Sequence, residues 1–168
     1  MPASLAEYRL LLAKVDAKVA EIAAHQAAQL ACAAGCHACC APDLTVAAVE
    51  AAAIAEFLAA HADKLSQVEA LAVARPWGAT RCAFLNRDGG CAIYAVRPLV
   101  CRTQGLPIAL ENGELTACSL NFRDGLTALP VGDRIDQKTL STLLFVVNQR
   151  FGGGERRELT VAGVTGRG

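Results

Sequence analysis

Eight cysteines occur in 168 residues, and four of them, Cys32, Cys36, Cys39 and Cys40, fall within a single nine-residue stretch. The other four, Cys82, Cys91, Cys101 and Cys118, follow at intervals of nine, ten and seventeen. Thiolates are soft, charged donors for zinc, copper(I) and iron–sulfur clusters. A run written C-x3-C-x2-C-C gathers several of them at little loop-closure cost. A chain built this way is constrained first by where its sulfurs converge, and only then by its helices.

The alternative use of eight cysteines is four disulfides, which depends on the compartment. Glu7, Arg9, Lys14, Asp16, Lys18 and Glu21 interrupt any apolar leader near the N-terminus. No stretch reaches the roughly 18 apolar residues of a membrane span. These features predict a cytoplasmic protein with reduced thiols and no membrane partner. Sixteen basic residues balance sixteen acidic ones, so no overall field attracts nucleic acid.

The hydrophobic share is 54%, much of it alanine, and alanine is the best helix former. The chain therefore reads as mainly α (α+β): a small single domain over 1–151, with several helices, a short β-hairpin and irregular loops organised around a cysteine metal centre. Its motif region is 32–118, and 152–168 reads as a loose tail, rich in glycine and arginine.

Leu5, Tyr8, Leu12, Val15, Val19 and Ile22 make a helical stripe over 4–31, with Ser4 and Glu7 as a capping box. That stripe offers a surface for a homodimer. A second helix is expected over 45–60 and a third over 63–73, followed by a break at Arg75-Pro76-Trp77-Gly78. Pro42 and Asp43 read as a turn, and 82–94 as an irregular knuckle. Asn112-Gly113 signals a type I′ hairpin between 106–110 and 114–118. Asp136 is expected to cap a last helix over 137–151, with Leu140, Leu143, Leu144 and Val147 inward. Asp63 and Asp133 read as caps as well.

Structural zinc takes four ligands, so two tetrahedral sites would use all eight sulfurs. One four-cysteine iron–sulfur cluster would use half and leave four for a second cluster or for reactive chemistry. Cys36 and Cys39 form a C-x2-C pair suited to one ion. Adjacent side chains diverge in extended chain, so Cys39 and Cys40 are expected to face different atoms or different metals. Arg97 and Arg102 flank the Cys101 stretch and are expected just outside the sulfurs, where they would offset thiolate charge; ordinary surface ion pairs are the bland reading. Phe84 and Ile93 should pack over the centre, and Tyr94 in the core. His37 is placed outward between its cysteines, with ligation as the alternative, and His25 and His61 read as exposed.

With these residues in view, Cys36-His37-Ala38-Cys39-Cys40, then Cys82-Ala83-Phe84-Leu85, then Cys91-Ala92-Ile93-Tyr94-Ala95-Val96-Arg97-Pro98-Leu99-Val100-Cys101-Arg102, the chain resembles the YkgJ-type cysteine-cluster proteins, the CxxCxxCC zinc- or iron-chelating domain. The resemblance covers roughly 32–118, and all eight cysteines match. One departure is that three residues, not two, separate Cys32 from Cys36. The resemblance implies a zinc or iron–sulfur centre held by these cysteines, and leaves the activity open.

The expected function is therefore metal binding in a redox, sensing or accessory role. A zinc-stapled structural or interaction module is the alternative, as is a metal-dependent group-transfer or oxidoreductase component. Metal storage or trafficking is a further option. No Walker loop, dinucleotide-binding glycine motif, H-E-x-x-H or nucleophile elbow is present. Whether the protein is an enzyme, and what its substrate or protein partner would be, the residues leave open.

Overall fold

Alanine-rich segments with apolar residues at helical spacing form most of the regular structure. The computed structural model describes residues 4–33, 35–40, 43–74, 81–127 and 129–166, with only the backbone given for Val73 and Ala74. Among the described residues, the first half carries α1 (Ala6–His25), β1 (Thr45–Val46), α2 (Ala48–Ala60) and α3 (Ala62–Ala74). The second half carries α4 (Leu99–Thr103), β2 (Ile108–Ala109), β3 (Leu115–Thr116), β4 (Ile135–Asp136), α5 (Gln137–Phe151), β5 (Arg157–Glu158) and α6 (Val161–Thr165). The protein is thus mainly α with short β elements. The expected break at Arg75, Pro76, Trp77 and Gly78, and Pro42 of the expected turn, lie outside the described residues. No helix among the described residues is long and apolar enough to cross a membrane.

Tyr8, Leu11, Val15 and Ile22 form the buried stripe of α1, which packs within the chain against α4 and α5. The helix stops at His25 instead of running to 31. Gln26 donates its side-chain amide to Asp133 (2.6 Å), and the Gln29 carbonyl accepts from the Phe122 N–H (2.9 Å). The second bond takes a carbonyl that a further helical turn would have used, and the first ties the helix end to Asp133. The N-cap is Leu5, not Ser4, and Glu7 pairs with Arg150 instead of closing a box.

Thr45 and Val46 leave the expected second helix to pair antiparallel with Glu158 and Arg157. α2 then starts at Ala48, and its first N–H groups find side-chain acceptors. Asn148 Oδ1 on α5 accepts from Val49 (3.0 Å), and the Glu50 carboxylate accepts from Ala47 (2.9 Å). The other Glu50 oxygen accepts from Leu99, the first residue of α4, at 2.9 Å. One buried carboxylate thereby holds two helix N-termini, where the helix dipoles favour negative charge. Burial nevertheless pushes the Glu50 carboxyl above its ordinary value. The buried Tyr8 hydroxyl lies beside this carboxylate without a formed hydrogen bond.

One apolar cluster joins Val46, Ile54 and Leu58 to Val68, Phe84, Ile93, Leu159 and Val164. A second joins Leu5, Tyr8, Leu11 and Val15 to Val49 and Leu99, with Leu140, Leu144, Val147 and Phe151 against it. A third sits around Ile22, Leu106 and Ile135. The described residues 152–166 are not a loose tail. β5 pairs with β1, Thr160 caps α6, and Leu159 and Val164 are buried in the first cluster. Two apolar residues set among glycines and arginines supply the anchoring that overall composition hides.

β2 pairs antiparallel with β3, Ile108 opposite Thr116, and parallel with β4. The connecting turn differs from type I′. Gly113 donates to the Leu110 carbonyl (2.9 Å), and Leu110 donates to Glu114 (2.8 Å). Only Gly113 of the Asn112-Gly113 pair has positive φ (85°), so this is a three-residue loop with glycine in the left-handed position. Asp136 caps α5 by accepting from Thr139, and the helix spans the expected residues. Leu143, however, is 46% exposed, beside the exposed Phe145 and Val146. Asp63 lies inside the first turn of α3, and Asp133 is bound by His25 and Gln26, so neither caps as expected.

Candidate metal centre

The segment that carries Cys32, Cys36, Cys39 and Cys40 has no regular secondary structure. Two tight turns shape it: Cys36 N–H donates to the Ala33 carbonyl (3.0 Å), and Cys40 N–H to the His37 carbonyl (2.9 Å). Gly35 adopts φ of 85°, which glycine takes without strain. The turn at 86–90 presses against this segment. A Cβ on Gly89 would stand 2.9 Å from the Gly35 carbonyl oxygen and 3.1 Å from His37 Nδ1, so only glycine fits there. His37 Nδ1 is itself 2.9 Å from the Gly35 carbonyl, and the half-buried ring lies against the Gly89 turn.

The knuckle is a small ribbon. Cys82 N–H donates to the Cys40 carbonyl (3.3 Å), Leu85 to Cys82 (3.1 Å), and Ala92 to Phe84 (2.9 Å), and Leu85 bridges Cys91. These bonds bring Cys40, Cys82 and Cys91 together. Cys82 and Cys91 are half-buried against the apolar cluster that contains the fully buried Phe84 and Ile93. Cys101 rides on α4. Cys118 follows β3, and its carbonyl accepts from the Asn121 N–H at 2.9 Å.

The thiols act on one another. Burial pushes Cys101 up to about 12, aided by Cys82, Cys91, Cys40 and Cys39. Burial also raises Cys40 to about 11, with Cys39, Cys82 and Cys91 adding to it. Cys91 is raised by burial and by Cys82, while the Ile93 backbone N–H and the Arg97 charge pull the other way. Cys39 is raised by burial, then by Cys32, Cys36 and Cys118, against a lowering backbone hydrogen bond. Cys32, Cys36 and Cys39 are exposed, whereas the other five are half-buried.

The donor set fits a thiophilic metal: eight thiols, with N–H groups aimed at some of the sulfurs. No three sulfurs lie within 4.8 Å of one another, since the one such set of ligand atoms among the described residues is Glu21, His25 and Asp133. A tetrahedral zinc ion would draw its sulfurs to about 3.8 Å apart. An iron–sulfur cluster interposes its own inorganic atoms and spaces them more widely. The Glu21 set serves as a clasp: His25 and Gln26 bind the buried Asp133 and hold its carboxyl below the usual range, and Lys18 pairs with Glu21 (2.9 Å). Its carboxylates are thus already satisfied, and His25 is exposed yet engaged.

Arg97 stacks over the Tyr94 ring at 3.9 Å and donates to the Tyr94 carbonyl (2.9 Å). Tyr94 is 63% exposed and outside the core, because that stack holds it at the surface. Arg102 is buried; it donates to both Asp16 oxygens (2.7 and 2.6 Å) and to the carbonyls of Arg97 and Ala95. It clamps the turn before Cys101 onto α1. Asp16, Glu50, Gly89, Gly105 and Asn121 escape the sequence reading. The only local signals were a glycine in each turn and an asparagine three residues after Cys118.

Asn121 is 3% exposed. Its amide donates to Cys32 Sγ (3.2 Å) and to the Gly105 carbonyl (2.7 Å), and its oxygen accepts from the Ala31 N–H (2.9 Å). Gly105 has φ of 96°, and a Cβ there would stand 3.3 Å from Cys32 Sγ.

Searches of the curated proteins and of the solved structures return no match for this chain. A family model does match: the one named CxxCxxCC and described as "Putative zinc- or iron-chelating domain" aligns with residues 31–119, a span that takes in all eight cysteines and the turns that hold them. That match covers more than half of the chain, which therefore belongs to the CxxCxxCC family of zinc- or iron-chelating domains.

Proposed function

We propose that this protein holds zinc or iron–sulfur in two four-cysteine centres, and serves a redox, sensing or accessory role in a reducing compartment. Cys32, Cys36, Cys39 and Cys118 form one centre, and Cys40, Cys82, Cys91 and Cys101 the other. The observation that carries this reading is the way separate segments meet: Leu85 binds the Cys82 carbonyl and bridges Cys91, while Asn121 donates its amide to Cys32 Sγ. Backbone bonds support the same division, Cys82 to Cys40 and Asn121 to Cys118. Adjacent Cys39 and Cys40 then belong to neighbouring centres. A bound cation would supply the positive charge that these half-buried sulfurs need as thiolates, so metal binding should release their protons. A structural task for the second centre is favoured by the packing of Cys82 and Cys91 on the apolar cluster. The balanced charge supports a partner other than nucleic acid.

Elemental analysis and absorption spectra of anaerobically purified protein test the reading. About two zinc ions per chain in colourless protein, or iron with acid-labile sulfide in brown protein, are the expected results. Protein that contains neither metal, and takes up neither on reconstitution, rules it out.

A further inference from the structure

Among the polar side chains around the cysteines, Asn121 touches a sulfur and is otherwise fully engaged within the fold. Its amide offers two N–H donors and one acceptor oxygen. One donor goes to the Gly105 carbonyl, the oxygen takes the Ala31 N–H, and the remaining N–H meets Cys32 Sγ. The oxygen also lies 3.6 Å from that sulfur. Two backbone partners from separate segments therefore fix the orientation of the amide, and the sulfur receives what is left. Gly105, with no Cβ, lets the sulfur and the amide approach the chain together. The Asn121 N–H also binds the Cys118 carbonyl, so the residue ties Cys32 to Cys118 across 86 positions of sequence. This bears on the one cysteine whose spacing departs from the family pattern: a longer step from Cys32 to Cys36 leaves Cys32 least defined by its own loop.

We infer that Asn121 is a positioning residue for Cys32, orienting its sulfur toward the exposed centre and donating an N–H that withdraws charge from it once metal is bound. The inference rests on the two-centre reading for its metal, but not for its geometry. N–H donors to ligating sulfur are among the levers by which a protein sets metal affinity and potential.

The test uses the full chain, Co²⁺ as the metal, and two variants. Asn121→Asp keeps the size of the side chain and an acceptor for Ala31, but it cannot donate to sulfur or to the Gly105 carbonyl. Asn121→Ala removes all three bonds. Both variants should weaken cobalt binding at one centre about 10-fold, the low end for residues that orient a ligand. Both should shift that centre's sulfur-to-cobalt band and leave the other centre loaded, which also certifies the fold. A role limited to filling space and accepting from Ala31 predicts wild-type behaviour for Asn121→Asp, and that result overturns the inference. Wild-type protein that takes up no cobalt through sulfur overturns the two-centre reading instead. Iodoacetamide labelling of metal-free protein at about pH 10, above the ordinary thiol range, then decides the inference. A several-fold rise in the Cys32-to-Cys36 labelling ratio in Asn121→Ala sustains it, and an unchanged ratio overturns it.

Discussion

Two neighbourhoods of sulfur sit side by side in this protein and are built in opposite ways. Cys32, Cys36 and Cys39 are exposed on a segment shaped by turns and one asparagine. Cys82, Cys91 and Cys101 are half-buried on a ribbon and a helix that rest on the apolar core. In the first, the chain closes around the sulfurs through a few polar bonds. In the second, the sulfurs are set on scaffolding that other interactions have already stabilised. The contrast teaches that a single cysteine run can span two environments: the adjacent pair Cys39-Cys40 is where the chain passes from one to the other.

The largest test of that contrast is ligand loss. Cys101→Ser and Cys91→Ser should each remove one metal centre and lower stability by several kcal/mol, on the order of 10 °C in Tm. Cys36→Ser should remove the other centre and lower Tm by less than half as much. Equal Tm losses, with metal content measured in parallel, would erase the distinction. Glu50→Ala comes next. It strands the N–H groups of Ala47 and Leu99 in the core, which should cost about 2–4 kcal/mol by urea unfolding. Because Leu99 begins the helix bearing Cys101, it should also weaken metal retention at the buried centre. Glu50→Gln avoids a desolvated charge but keeps only one of the two acceptor oxygens, so its loss should fall between those of wild type and Glu50→Ala.

The smallest effect concerns protons. Burial raises Cys40 to about 11 and Cys101 to about 12 from an ordinary 9.0. A folded metal-free chain therefore keeps those protons where an unfolded chain has lost them. Linkage then requires stability to be level below pH 9 and to fall as the pH rises toward the folded values. Urea midpoints of metal-free protein between pH 8 and about 10.5 should decline. A midpoint that rises across that window would show that these thiols are not desolvated.

Much of this arrangement was legible in the residues and some was not. The α1 stripe followed from period, and the span of α5 from period and its Asp136 cap, because both helices turn apolar residues toward the core. The cysteine run announced sulfur chemistry, and the family match to 31–119 agrees with it. The failures share a cause: interactions between distant segments outweighed local signals. Thr45 carries no mark of its pairing with Glu158, nor Gln26 of its bond to Asp133. Tyr94 is the local exception: Arg97, three residues on, stacks over its ring at the surface. Arg102 looked like a counter-charge for sulfur, and its guanidinium is taken up by Asp16 and two carbonyls. Asn121 carries one local mark, its turn bond to Cys118, while its side-chain partners come from positions 31, 32 and 105.

The pairing of β5 with β1, and the burial of Leu159 and Val164, have a consequence for how the molecule matures. The apolar floor beneath Cys82 and Cys91 is incomplete until those later residues have cleared the ribosomal exit tunnel. Translation runs at about 5–20 residues per second, so Cys101 waits on the order of several seconds for Val164. During that interval the ribbon's sulfurs are accessible to ions and oxidants that the finished fold keeps at a distance.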